Sequence, residues 1–102
     1  MKYHKLVRDK IPEIIEKAGL KPRIKTLSDS EFSIELEKKL EEEMHEYLES
    51  HELEELIDIE EVILKLIKVK GVKKEDFEKL RENKKKKRGA FDKKIFLIET
   101  TD

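Results

Sequence analysis

The chain has 102 residues, and we expect a single domain that spans residues 1–102. It contains no Cys, which excludes disulfides, thiolate catalysis and cysteine-ligated zinc. Charged residues make up 48% of the chain, yet the net charge is only −1, a balance that is typical of solvated helix faces rather than of a disordered chain. Neither a membrane-spanning apolar stretch nor the apolar core of a signal peptide is present, so we expect a cytoplasmic protein without a membrane partner.

The pattern of capping residues and apolar spacing predicts a first helix over Arg8–Ala18. Pro12 fits only in its first turn, and Gly19 supplies the stop. Two short segments with apolar alternation or β-branched residues, Pro22–Leu27 and Lys94–Glu99, could pair as a small two-stranded β element.

A capping box formed by Ser28 and Glu31 opens a long helix that runs to about Glu49. The next helix, about Glu52–Val69 with Ser50 as its N-cap, is apolar around most of its circumference, which predicts that it is buried. The short break between the two helices favours an antiparallel hairpin.

Gly71 ends the third helix, and a fourth is predicted over Lys74–Lys87. Together these patterns predict an all-α fold. We expect a bundle of about four helices with the antiparallel hairpin at its core.

Acidic residues dominate the middle of the chain, and basic residues dominate its end. Residues 29–61 hold 15 Asp and Glu but only two Lys, whereas residues 65–94 hold 14 Lys and Arg and five acids. A polyanionic ligand held through a metal by the first segment and directly by the second would need this arrangement.

Two acidic motifs flank the predicted bend. Each holds two carboxylates at i,i+3 spacing, which places them on one helix face with Cβ atoms roughly 5–6 Å apart; the residues are Glu43, Glu46, Glu55 and Asp58. A helical wheel places Glu43 inside the apolar stripe of its helix, while Glu42 points away from it. Carboxylates that converge repel one another unless a cation lies among them, and oxygen-only ligands favour Mg²⁺, with Mn²⁺ as the alternative.

The basic run Lys84–Arg88 allows three interpretations. It could be a solvated helix end, where cations interact favourably with the helix dipole, a nucleic-acid patch, or a phosphate site. The acidic middle of the chain opposes nucleic-acid binding, so the phosphate of a small nucleotide fits better.

Four motifs in order resemble the MazG-like superfamily of all-α nucleoside triphosphate pyrophosphohydrolases, in particular its small house-cleaning branch, which is related to phosphoribosyl-ATP pyrophosphohydrolase. The motifs are KLVRDKIP at residues 5–12, KLxEExxE at 39–46, EELxDIxEVI at 54–63, and Lys84-x-x-x-Arg88-Gly89-x-Phe91. Two departures are the short spacing between the acidic motifs and Ala90, where relatives often have a second Gly.

The resemblance implies Mg²⁺-dependent cleavage of the α–β phosphoanhydride of a nucleoside triphosphate, which gives a monophosphate and pyrophosphate. It also implies homodimers or higher oligomers. In this chain the residues that match the family's metal ligands are Glu43, Glu46, Glu55 and Asp58.

Roles in positioning water and in binding phosphate are hypotheses for further residues. Glu42 or Glu61 could position the attacking water. Phosphate oxygens could be bound by Lys84, Lys87 and Arg88, with Arg8 and Lys10 as second choices, although Arg8 could equally pair with a carboxylate. The alternatives are a non-catalytic helical oligomer and a nucleotide- or RNA-binding module that uses Lys84–Arg88.

Overall fold

The computed structural model describes residues 3–102, so Met1 and Lys2 lie outside it. These residues form four helices: α1 (Ile11–Lys17), α2 (Asp29–Ser50), α3 (Leu53–Val69) and α4 (Lys74–Arg88). The prediction of an all-α fold with four helices is confirmed. None of the four helices combines the length with the apolar composition that a membrane span requires.

The first helix is shorter than the sequence predicts. It begins at Ile11 rather than Arg8, so that Pro12 lies within the first turn, where the missing N–H breaks no helical hydrogen bond. The helix ends at Lys17, and Gly19 follows with a φ of 87°. A residue with a side chain would be strained in that left-handed conformation.

Helix α2 begins at the predicted capping box. The Ser28 hydroxyl accepts a hydrogen bond from the Glu31 N–H at 3.2 Å, and the Ser28 N–H donates to the Glu31 carboxylate, also at 3.2 Å. Two N–H groups that the helix itself cannot satisfy are therefore paired.

Helices α2 and α3 are separated by only two residues, and they pack against each other as an antiparallel hairpin. His51 ends α2 in the left-handed conformation, with a φ of 59°. Ser50 is not the N-cap of α3, as the sequence suggested, because it still belongs to α2. The N-cap is Glu52, whose N–H donates to the Ser50 hydroxyl at 3.2 Å.

The predicted β element is wrong. Neither Pro22–Leu27 nor Lys94–Glu99 is a strand, and residues 3–102 contain no strand at all. A strand needs a partner for its backbone hydrogen bonds, and the second segment instead lies in a solvent-exposed tail after α4. Ile95, Phe96 and Ile98 are each more than four-fifths exposed there.

The core of one chain is small. Only Leu36, Val62 and Ile67 are buried apolar residues within residues 3–102. Helix α3 contacts α2 and α4, but Leu53 and Ile57 are 72% and 56% exposed. The prediction that α3 is buried nearly all round therefore fails within a single chain, because two neighbouring helices cannot cover its whole circumference.

The radius of gyration is 18.4 Å, whereas a compact domain of this length has about 13 Å. The molecule extends 64 Å along its longest axis and 32 and 23 Å along the others. Helix α1 does not approach any other helix of residues 3–102 closely. The α2–α3 hairpin is therefore the structural centre of the chain.

We predict that Ser28→Ala lowers the free energy of unfolding by about 1 kcal/mol, because it removes the acceptor for the Glu31 N–H. The matched control is Ser30→Ala, since the Ser30 hydroxyl meets only the Ser28 hydroxyl, at 3.4 Å. Urea denaturation at fixed protein concentration measures both effects. Equal losses in the two variants would contradict the capping role.

Candidate metal centre

The α2–α3 hairpin brings the two acidic motifs together. Glu43 and Glu46 lie near the end of α2, whereas Glu55 and Asp58 lie near the start of α3. Because the connection is two residues long, both pairs lie close to the corner of the hairpin. Helical i,i+3 spacing then directs the two members of each pair to the same face.

Two overlapping groups of carboxylates result. One oxygen each of Glu42, Glu43 and Glu46 lie within 4.8 Å of one another, and the same holds for Glu43, Glu55 and Asp58. Glu43 belongs to both groups. It is the residue through which the acids of α2 meet those of α3.

Glu43 is buried, with a relative exposure of 6%. Its Oε2 atom has no hydrogen-bond partner in the described chain. Buried carboxylate oxygens are nearly always paired, because an unpaired one costs free energy. The orphaned oxygen is therefore free to accept a cation or a hydrogen-bond donor.

Burial raises the pKa of Glu43 above its ordinary value of 4.5, and the neighbouring Glu46 carboxylate raises it further. Lys39 acts in the opposite direction and lowers the pKa. The raised pKa means that the anionic form of Glu43 is not fully compensated by Lys39.

Two basic side chains border the carboxylates. The Arg8 Nη2 atom lies 2.7 Å from Asp58 Oδ1. The Lys39 Nζ atom lies 3.3 Å from Glu43 Oε1 and 3.5 Å from Glu42 Oε1. Against five carboxylates, these two cations leave the cluster with a formal excess of negative charge.

The six acidic residues that the sequence predicts for the site differ from one another in burial and in the group that they join. Glu43 is buried, and Glu55 and Asp58 are partly buried beside it. Glu46 is exposed, although it still meets Glu43. Glu42 is partly buried and joins the first group through its carboxylate, while Glu61 is exposed and belongs to neither group.

The predicted phosphate ligands are divided between two places. Arg8 lies at the acidic cluster, on Asp58. The basic residues at the end of α4 are exposed and form no ion pair within residues 3–102; they are Lys84, Lys87 and Arg88. Lys10 is exposed as well. One chain thus does not join the basic run to the acidic cluster.

Lys39 is the site residue that the sequence argument did not assign. Its side chain is only 18% exposed, whereas that of the adjacent Lys38 is 67% exposed. The available signal was its spacing of three and four residues before Glu42 and Glu43, which places an ammonium group above both carboxylates.

The donor set fits a hard divalent cation. All candidate ligand atoms are carboxylate oxygens, which are the ligands that Mg²⁺ and Mn²⁺ prefer. Zinc sites usually include nitrogen or sulfur ligands, and none is present among these atoms. Glu43, Glu55 and Asp58 span two helices, and Glu43 offers a buried oxygen with no other partner. The arrangement can therefore hold a cation at the corner of the hairpin.

Comparison with known proteins shows similarity over part of the chain to one protein. An uncharacterized protein of Mycolicibacterium smegmatis is 54% identical over 41 residues, which is 40% of this chain and 42% of that protein. The chain thus matches less than half the length of this relative, whose name carries no activity. No family model matches the chain, and no solved structure matches it.

We predict that Glu43→Gln raises the free energy of unfolding of the metal-free protein at pH 7 by on the order of 1 kcal/mol, because it removes an undercompensated buried charge. A raised carboxyl pKa gives stability that is complete below the unfolded value of 4.5 and is lost as the pH rises through the folded value. The gain from the substitution should therefore shrink as the pH falls towards 4.5.

Denaturation in the presence of a chelator, between pH 4.5 and 7, measures this dependence. Glu37→Gln is the control, because Glu37 lies on the same helix and is exposed; its effect should stay within about 0.5 kcal/mol. Destabilisation by Glu43→Gln at every pH would mean that Lys39 compensates the carboxylate fully.

Proposed function

We propose that the protein is a Mg²⁺-dependent nucleoside triphosphate pyrophosphohydrolase of the MazG-like type, with Mn²⁺ as an alternative ion. It would cleave the α–β phosphoanhydride and release a monophosphate and pyrophosphate, as in the clearance of non-standard nucleotides. One observation carries this proposal: the buried Glu43 carboxylate, with its unpaired oxygen, joins acids from both motifs. The type of reaction is taken from the resemblance of the four sequence motifs to the superfamily.

The acidic residues would act by holding the cation and the water. Glu43, Glu46, Glu55 and Asp58 would hold the ion, which when bound would supply positive charge to neutralise and orient the triphosphate. Glu42 is the better candidate to accept the proton of the attacking water. Its carboxylate lies in the cluster, whereas Glu61 lies outside both groups.

The basic residues would stabilise charge on the phosphate oxygens. Arg8 is already at the cluster through its contact with Asp58. For Lys84, Lys87 and Arg88 we propose that a second copy of the chain supplies them, because no ion pair joins them to the acids within residues 3–102.

A homodimer or a higher oligomer is also supported by the uncovered apolar surface of the hairpin. Ile34 and Leu48 on α2 are 57% and 63% exposed, and Leu53 on α3 is 72% exposed. Only three apolar residues are buried within residues 3–102, and apolar surface of this kind favours burial against another copy.

Incubation with a panel of nucleoside triphosphates, with and without Mg²⁺, tests the activity. We expect Mg²⁺-dependent release of pyrophosphate from at least one nucleotide. Glu43→Gln and Glu55→Gln should each reduce the rate by at least about 100-fold, whereas Glu37→Gln should leave it within about twofold.

The outcomes separate the alternatives. No pyrophosphate from any nucleotide of the panel would contradict hydrolysis of those nucleotides. Pyrophosphate release that survives both substitutions would contradict the site. Binding of nucleotide or RNA that is independent of metal and falls steeply with salt would instead support a binding module.

Sedimentation equilibrium tests the oligomer. We expect a mass of at least twice the 12.2 kDa of one chain, and Ile34→Gln should shift the equilibrium towards the monomer because it removes exposed apolar surface. A monomer throughout the micromolar range would contradict this expectation.

A further inference from the structure

Lys39 occupies an unusual place for a lysine on a helix as charged as α2. Its ammonium group bridges Glu42 Oε1 at 3.5 Å and Glu43 Oε1 at 3.3 Å, and its side chain is only 18% exposed. Lysine loses side-chain entropy when it is held in this way. The attraction of the two carboxylates therefore has to offset this entropy loss and explains why the Lys39 side chain is held there.

That charge is the negative potential of the acidic cluster. Glu43 lies at the point where the two groups of carboxylates overlap, and one of its oxygens is bound by Lys39 while the other has no partner. The ammonium group thus contacts one oxygen of the residue that belongs to both groups of candidate metal ligands.

A divalent ion that uses the Oε1 atom of Glu43, alone or together with Oε2, competes with the Lys39 ammonium group for that oxygen. A Mg²⁺ ion binds a carboxylate oxygen at about 2.0–2.1 Å, so an ion on Oε1 would lie within a few ångströms of an ammonium group that is 3.3 Å from the same oxygen. Repulsion between a single and a double positive charge at that distance is strong in a partly buried site. The lysine side chain is flexible and can move towards solvent, whereas the Glu43 carboxylate is buried against the second helix of the hairpin.

We propose that Lys39 is a tethered counter-ion, which holds the place of the divalent ion in the metal-free protein, leaves Glu43 when the ion binds, and thereby lowers the metal affinity. This inference rests on the proposed metal centre. In the metal-free state Lys39 would hold the Glu43 carboxylate in place. Either the Lys39 ammonium group or the divalent ion, but not both, would then contact this carboxylate.

Isothermal titration calorimetry with Mn²⁺ and with Mg²⁺ tests the inference on three proteins: the natural chain, Lys39→Met and Lys38→Met. Lys38 is the matched control, because it is the next residue, pairs with Glu35 at 3.3 Å and is exposed. We expect Lys39→Met to bind Mn²⁺ on the order of tenfold more tightly than Lys38→Met. The two variants remove the same formal charge from the chain, so the comparison isolates the contact with Glu43.

Each outcome has one meaning. Equal or weaker binding by Lys39→Met than by Lys38→Met, with clear binding by the natural chain, overturns the counter-ion role and leaves the metal centre intact. No binding by any of the three proteins overturns the metal centre and the inference together. Tighter binding by Lys39→Met alone supports both.

A second measurement uses the natural chain and does not depend on the folding of a variant. An amine-acylating reagent should modify Lys39 more slowly than Lys38 in the presence of a chelator, because the Lys39 side chain is largely covered and that of Lys38 is exposed. Saturating Mn²⁺ should raise the rate at Lys39 several-fold and leave Lys38 unchanged, as measured by peptide mass spectrometry. A rate at Lys39 that does not respond to bound Mn²⁺ would overturn the proposed displacement.

Discussion

The contact of Glu43 with the second helix of the hairpin is the constraint on which the rest of the site depends. A carboxylate placed between two packed helices loses hydration, and the free energy must be recovered from cations and donors nearby. Lys39 recovers part of it on the side of α2, and Arg8 neutralises Asp58 on the side of α3. The remaining imbalance is visible in the raised pKa of Glu43 and in its unpaired oxygen.

The same hairpin also limits how stable one chain can be. Its helices cover each other along one face, and the charged cluster takes up part of that face near the corner. Few apolar residues are left to form a core, while apolar side chains such as Leu48 and Leu53 face outwards. Large apolar side chains on the outside of the hairpin are surface that we propose a second copy covers.

Sequence reasoning succeeded where the signal was local. The capping box of Ser28, the break after Ser50 and the burial of Glu43 all follow from residues within a few positions of one another. The strand at Lys94–Glu99 failed because strand composition cannot reveal whether a partner strand exists. Lys39 was missed because its i,i+4 pairing resembles that of many surface lysines, and only the burial of Glu43 distinguishes it.

The short separation along the chain between the two acidic motifs has a consequence for folding. Glu43 and Glu55 meet as soon as α2 and α3 close on each other, and a loop of this length closes at a small entropic cost. Repulsion among the carboxylates therefore opposes the closure of the hairpin itself. Formation of the hairpin is therefore coupled to neutralisation of its acids, and a cation that bound there would also stabilise the fold.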